Sequence, residues 1–369
     1  RKGLFPGLDA NGQPMTYEGK VITTYDPITG DAITSLGKSE VKDFLTGAAK
    51  LNVSYVIPGG HRVYANAAFI ADAPNFNQAF ISPRTRNSIV PNLKTNKTLT
   101  ADLNYAYSNS GYDVRVTGYY TAIKDQSKVM SFYDDAQNSF TNFAMSGIDQ
   151  RHIGLELGFK VPLPVPNLAL QGVVSYGQFV YTSNPKMYQT YDNSAAIVED
   201  TYGVTIPYWK SHPTADGKTV KHYVSGTPQL ATSLGLSWNK NYWFVDADDY
   251  FDFAYLDMNP LYRTDMATSG PDKTVTPTEI EYMAAQEKFK GAVLVNASVG
   301  KSWYIKRNYQ LGFSLQVKNI LNTTNLRTGG YEQTRLVDNT VSKERYYRFD
   351  SKYFYMSGIN YMLNIYFRF

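Results

Sequence analysis

Four aspartates, Asp246, Asp248, Asp249 and Asp252, sit inside an aromatic and apolar stretch running from Tyr242 to Phe253. At a two-residue period Asp246, Asp248 and Asp252 share one face, while Trp243, Val245 and Ala247 share the other. Three carboxylates on one face offer the oxygen chemistry that suits a hard cation such as calcium. The spacing lacks the fixed ligand pattern of a calcium loop, so a polar wall paired with neighbouring Lys and Arg is the favoured account. His152 and Glu156 also share a face and raise a metal pair or an acid–base dyad. With four histidines in the chain and no third ligand nearby, a structural role is favoured there too.

A second group is aromatic. Tyr188, Tyr191, Tyr202, Tyr208 and Trp209 fall within residues 182–227, a segment with few aliphatic side chains. Rings on a loop give contact area with little rotamer entropy lost, so they could stack on sugars or clamp a siderophore; they could equally pack loop on loop. Arg327, Tyr331, Arg335 and Arg345 could attract an anionic ligand, against the favoured reading of solvated charge. No GxSxG, Walker A, HExxH or strand-to-helix GxGxxG pattern supports an enzyme.

The elements that carry these groups read as strands. Leu99, Ala101, Leu103, Tyr105 and Tyr107 alternate with Thr100, Asp102, Asn104, Ala106 and Ser108. Ile153, Leu155, Leu157 and Phe159 oppose His152, Gly154, Glu156 and Lys160, and Leu311, Phe313, Leu315 and Val317 oppose Gln310, Ser314, Gln316 and Lys318. The chain closes on Tyr361, Leu363, Ile365, Phe367 and Phe369, every second residue large and apolar. Val114, Val116 and Tyr120 interleave with Asp113, Arg115, Thr117 and Tyr119, and with weaker stretches at about 44–57, 61–71, 168–181, 229–238, 242–253 and 292–303, about eleven long strands are expected.

Composition agrees with one greasy face per strand. Tyr (31) and Phe (19) are abundant, yet no apolar run approaches the ~20 residues a spanning helix needs, which excludes a helical membrane protein. Cysteine is absent, which removes disulfides, structural zinc and thiol catalysis. A formal charge of +4 gives no reason to invoke nucleic acid.

Connections alternate in length. Short ones fall at Pro58-Gly59-Gly60, 108–111, 162–167, 239–241 and 306–308; long ones fall near 73–97, 124–147, 182–227, 256–289 and 319–356. Strict short–long alternation belongs to an antiparallel up-and-down transmembrane barrel, with short periplasmic turns and long extracellular loops. A sandwich has no reason to produce it. The odd strand count, and an N-terminus (Arg1-Lys2-Gly3-Leu4-Phe5-Pro6) with neither initiating Met nor apolar core, suggest the interior of a longer polypeptide, or a barrel half supplied by another chain. Residues 1–43 are expected to be an extracellular loop region and 44–369 the C-terminal portion of the barrel.

Ser82-Pro83-Arg84 and Pro91-Asn92-Leu93-Lys94-Thr95 precede an expected strand pair, and Gly118-Tyr119-Tyr120-Thr121-Ala122-Ile123-Lys124-Asp125, Arg151-His152-Ile153-Gly154-Leu155-Glu156-Leu157 and Val317-Lys318-Asn319-Ile320-Leu321-Asn322 follow in that order. These segments, in this order, resemble the barrel of TonB-dependent outer-membrane receptors of the Bacteroidetes type. The terminal aromatic strand, with Phe367 and Phe369, is similar to the outer-membrane assembly signal. The resemblance implies a barrel of about 22 strands in the Gram-negative outer membrane, with a plug upstream of this chain. It further implies ligand capture outside, TonB-driven import through that upstream region, contact with membrane lipid and a possible surface lipoprotein partner. Glycan, peptide, siderophore and cobalamin all remain open as cargo, and lipopolysaccharide as a partner of the last-loop arginines. A passive porin, a scaffolding barrel and, from another class, an outer-membrane enzyme are the rival functions. No cofactor is expected, calcium being the one candidate that the carboxylates of Asp246, Asp248 and Asp252 raise.

Overall fold

The computed structural model describes residues 41–82, 89–134, 138–192, 202–214, 216–253, 258, 281, 284–306, 308–333 and 351–369, and before them four two-residue strands; for 248–253 it describes the backbone alone. Eleven long strands dominate: β1 Gly47–Ile57, β2 His61–Asp72, β3 Asn96–Asn109, β4 Tyr112–Asp134, β5 Ser139–Pro162, β6 Leu168–Tyr181, β7 Leu230–Lys240, β8 Trp243–Phe253, β9 Val293–Ile305, β10 Tyr309–Lys318 and β11 Asn360–Arg368. Each pairs antiparallel with the next in sequence, so the sheet order is the chain order. Among the described residues no helix is long and apolar enough to cross a membrane, which leaves crossing by strands open.

Tight hairpins join β1–β2, β3–β4, β5–β6, β7–β8 and β9–β10 at one end of the sheet, and long segments join the rest at the other. Local chemistry explains the tight end. Ser110 and Gly111 (φ 53° and 86°) and Asn241 and Tyr242 (φ 50° and 63°) take the two left-handed positions of a type I′ turn, whose twist matches that of the flanking strands.

Register separates the faces cleanly. One row runs Val53, Ala65, Leu103, Gly118, Leu155, Tyr176 across six strands, and another runs Trp238, Val245, Val299, Leu315, Leu363. Leu155 is 62% exposed and Tyr361, Leu363, Ile365 and Phe367 are exposed as well, so this apolar face has no protein cover. On the opposite face polar side chains bond to one another from strand to strand. Asn66 is bonded to Asn52, Asn66 Nδ2 donates to Asp102 (2.6 Å), Asn104 donates to the same carboxylate, and Thr117 donates to Asn104 (2.7 Å). Tyr119 lies against Gly154 on this face, where a Cβ would collide with its hydroxyl and ring, and at neighbouring Gly177 a Cβ would collide with the ring of Phe179.

The expectation of a long loop over 124–147 is corrected. β4 and β5 continue as a ladder past a bulge between Ile123 and Gln126, to Asp134 and Ser139. The short strand Lys186–Tyr191 extends this ladder by pairing with 141–146 of β5. The protein's buried core lies here, at the long-loop end, not between layers. Met130, Phe132, Phe143, Met145, Ile148, Tyr181, Met187, Ile206, Trp209 and Met258 form one cluster, and Ile81, Val90, Leu93, Ala144 and Tyr188 a second.

Candidate ligand-binding surface at the long-loop end

The β4–β5 extension carries alternate apolar residues past the point where the apolar face needs no cover, and the segments after β6 fold back to cover them. Met187 and Tyr188 arrive on the short strand, then Ile206 and Trp209. Trp209 is fully buried, its ring 5.3 Å from that of Tyr181, and His222 donates its Nδ1–H to the Trp209 carbonyl (3.0 Å). A polar seam stitches the same layer: Asn142 Nδ2 donates to Asp192 (2.6 Å), Ser131 Oγ to Asn142 (2.6 Å) and Gln189 Nε2 to Thr141 (3.0 Å).

This packing corrects the expectation of one exposed aromatic loop surface. Tyr188 (1% exposed) and Trp209 (0%) are core, because they are the cover for Ala144 and Leu93 and for Phe143 and Met145. Tyr202 is 52% exposed and meets Tyr188 edge to face at 5.1 Å. Tyr208 is half-buried and sits edge to face with His212 (5.1 Å), which in turn meets His222 (5.3 Å). Tyr191 is half-buried; burial, and then the charge of Asp134, raise its phenol above the ordinary range. Tyr202, Tyr208 and Tyr191 therefore remain reachable from outside, on a rigid base made of the other two.

Arg327 is not a free cation. Its Nη1 donates to Glu287 (2.6 Å), its guanidinium lies 3.7 Å above the Tyr353 ring, and Tyr353 donates its hydroxyl to the same carboxylate (2.9 Å). Tyr331 is half-buried and packs on Phe132 at 5.5 Å, at the edge of the core. Arg335 and Arg345 lie outside the described residues.

On the polar face His152 and Glu156 do not meet as a pair. His152 bonds to Gln150 (2.9 Å) and packs on Phe179 (4.8 Å), whereas exposed Glu156 accepts from Ser175 Oγ (3.4 Å). Asp246 accepts from Ser298 Oγ at 3.5 Å. By backbone register Asp248 and Asp252 fall on its face, opposite Asn296 and Ala231; their side chains lie outside the described residues. Among the described residues no three His, Asp or Glu side chains converge. At the far end of the sheet Phe367 stacks on Tyr309 (5.8 Å) and touches Phe369, which is 96% exposed.

Sequence reasoning missed Tyr133 and Phe140, an edge-to-face pair (5.5 Å) at the tip of the β4–β5 hairpin, and the Glu287–Arg327–Tyr353 clamp. The first lies on the face opposite Met130 and Phe132, so their alternation did not point to it. The second had no signal, since the clamp joins residues 40 and 66 apart.

A family model described as the TonB dependent receptor-like β-barrel matches residues 24–358. The fold is similar to that of the copper transporter OprC (13% identity, TM-score 0.52), over 93% of this chain and 42% of that one. It is also similar to a ferric enterobactin receptor mutant from Pseudomonas aeruginosa in complex with enterobactin (13% identity, TM-score 0.50), over 87% of this chain and 40% of that one. The chain thus spans less than half the length of these structures. A search of curated proteins gives no match. An uncovered apolar face, a hydrogen-bonded polar face, tight turns at one end and long segments at the other are what an outer-membrane barrel requires, and the family match over most of the chain agrees: this chain belongs to the TonB-dependent receptor β-barrel family.

Proposed function

We propose that the chain is the C-terminal part of a receptor that takes up a nutrient ligand across the outer membrane, energised through TonB. Cargo is caught at the long-loop end, and the polar face lines the passage through the barrel. The observation that carries this reading is the built cap: a buried core and a polar seam hold Tyr202, Tyr208 and His212 at the surface. A rigid base under reachable rings is how binding sites gain affinity without paying for loop ordering. TonB would act through a plug formed by sequence beyond this chain. A surface lipoprotein is the partner class that would close over such a cap.

Two structures of similar fold are named for copper and for ferric enterobactin, which supports testing a metal or a metal chelate as cargo beside glycans, peptides and cobalamin. Energised uptake predicts that import by cells carrying the intact receptor stops when the proton gradient is collapsed or TonB is deleted. Import that continues under both conditions identifies a passive pore instead. Within the cap, Tyr202→Ala with Tyr208→Ala is expected to weaken cargo binding by about 2 kcal/mol, roughly thirtyfold, with the barrel intact. Unchanged affinity in calorimetry on the purified receptor would move the site to the polar face.

A further inference from the structure

The apolar face carries two lysines at the tight-turn end, where the register aligns Lys240, Trp243, Lys301 and Phe313 in one row across β7 to β10. A cation on the lipid side is expensive near the bilayer midplane and cheap near an interface, so position decides what these residues can do. Lys240 and Trp243 flank a two-residue turn, and Lys301, four positions before the end of β9, reaches back to the Asn241 carbonyl of that turn, so its ammonium sits at the level where β7 and β8 end, with exposed Trp303 and Ile305 beyond it. Indole rings at that depth mark the headgroup level.

Lys301 is held there in a defined pose. Its Nζ lies 5.1 Å from the Trp243 ring and 6.0 Å from that of Trp303, and it donates to the Asn241 carbonyl at 2.8 Å. An ammonium has three donors, so two are left after that bond. Among the described residues no acidic side chain forms an ion pair with Lys240 or Lys301. Two cations on either side of an indole, facing the headgroup layer, complement a phosphate whose acyl chains lie along the neighbouring apolar rows.

We propose that Lys240, Trp243, Lys301 and Trp303 form a binding site for the headgroup of an anionic phospholipid in the periplasmic leaflet. The site rests on the outer-membrane reading and is independent of the cargo. It is tested on the intact receptor in nanodiscs of phosphatidylcholine with a minor share of phosphatidylglycerol, by native mass spectrometry of the lipid retained. Phosphatidylglycerol should be retained in excess of its share. Lys240→Gln with Lys301→Gln should reduce that excess about fivefold per lysine removed. Lys240→Arg with Lys301→Arg should keep it, which separates charge from loss of fold.

Equal retention of the two lipids, or an excess that survives the double Gln change, overturns the site while leaving the barrel reading intact. Displacement of the lipid by millimolar inorganic phosphate also overturns it, since the site would then hold a free anion. A receptor that does not enter nanodiscs at all overturns the membrane reading together with the site.

Discussion

Replacing Leu157 with Arg tests the sidedness on which the whole reading depends. Leu157 lies on the uncovered face of β5, between Val116 and Val174. It stands five positions before Pro162, where β5 ends at the tight-turn side. At about 3.4 Å per residue and a tilt of about 45°, that is ~12 Å along the barrel axis, close to the middle of an apolar band about 25 Å tall. Arginine at the midplane costs about 2–4 kcal/mol, which lowers the folding equilibrium roughly 30- to 1,000-fold. Two controls sharpen the test. Phe159→Arg, two residues nearer the interface, should cost less, and Glu156→Arg, on the polar face, should stay within about 0.5 kcal/mol. Denaturant titration of the refolded protein in lipid vesicles, followed by tryptophan emission, reads all three. If Leu157→Arg is no worse than Glu156→Arg, the apolar face does not meet lipid.

Other expectations address the ends of the barrel and its cap. Removing Phe369, or giving it a charge, should lower surface abundance without changing the cargo affinity of the protein that is made; abundance assayed by surface labelling checks this, and normal abundance with lost uptake contradicts it. Trp209→Ala deletes a buried ring and should cost about 3–5 kcal/mol locally. It should raise hydrogen exchange in Lys186–Tyr191 while β9 to β11 stay protected. Burial, and then its hydrogen bond to Glu287, raise the Tyr353 phenol above its ordinary value. Its contribution to stability is therefore fully present below that ordinary value, about 10, and is lost as pH rises through the raised one. Hydrogen exchange in Arg327–Glu332 should accelerate across that alkaline window in the wild type, and Tyr353→Phe should remove the dependence.

How much of this was legible in the sequence follows from where the apolar side chains go. In the Ile153–Phe159 part of β5 and in β11 the apolar residues face no protein, so nothing distant interferes with the two-residue period, and sidedness can be read from Ile153–Phe159 or Tyr361–Phe369 alone. The same period continues beyond the bulge, in Met130 and Phe132 against Phe143 and Met145, but the polar run Lys124-Asp125-Gln126-Ser127-Lys128 interrupts it and reads as a loop. Asp125, at φ 60°, is where the ladder slips. What lies past it could not be placed from sequence, because cover there comes from far along the chain. Tyr188 is buried by Ile81 and Leu93, about a hundred residues earlier, and Trp209 by Tyr181 and Met130. An aromatic residue in a long connection looks the same whether it awaits a ligand or fills a core, and only the geometry of the residues around it decides. Here that geometry divides five rings in two: Tyr188 and Trp209 are spent on rigidity, which is why Tyr202 and Tyr208 are worth testing as contacts.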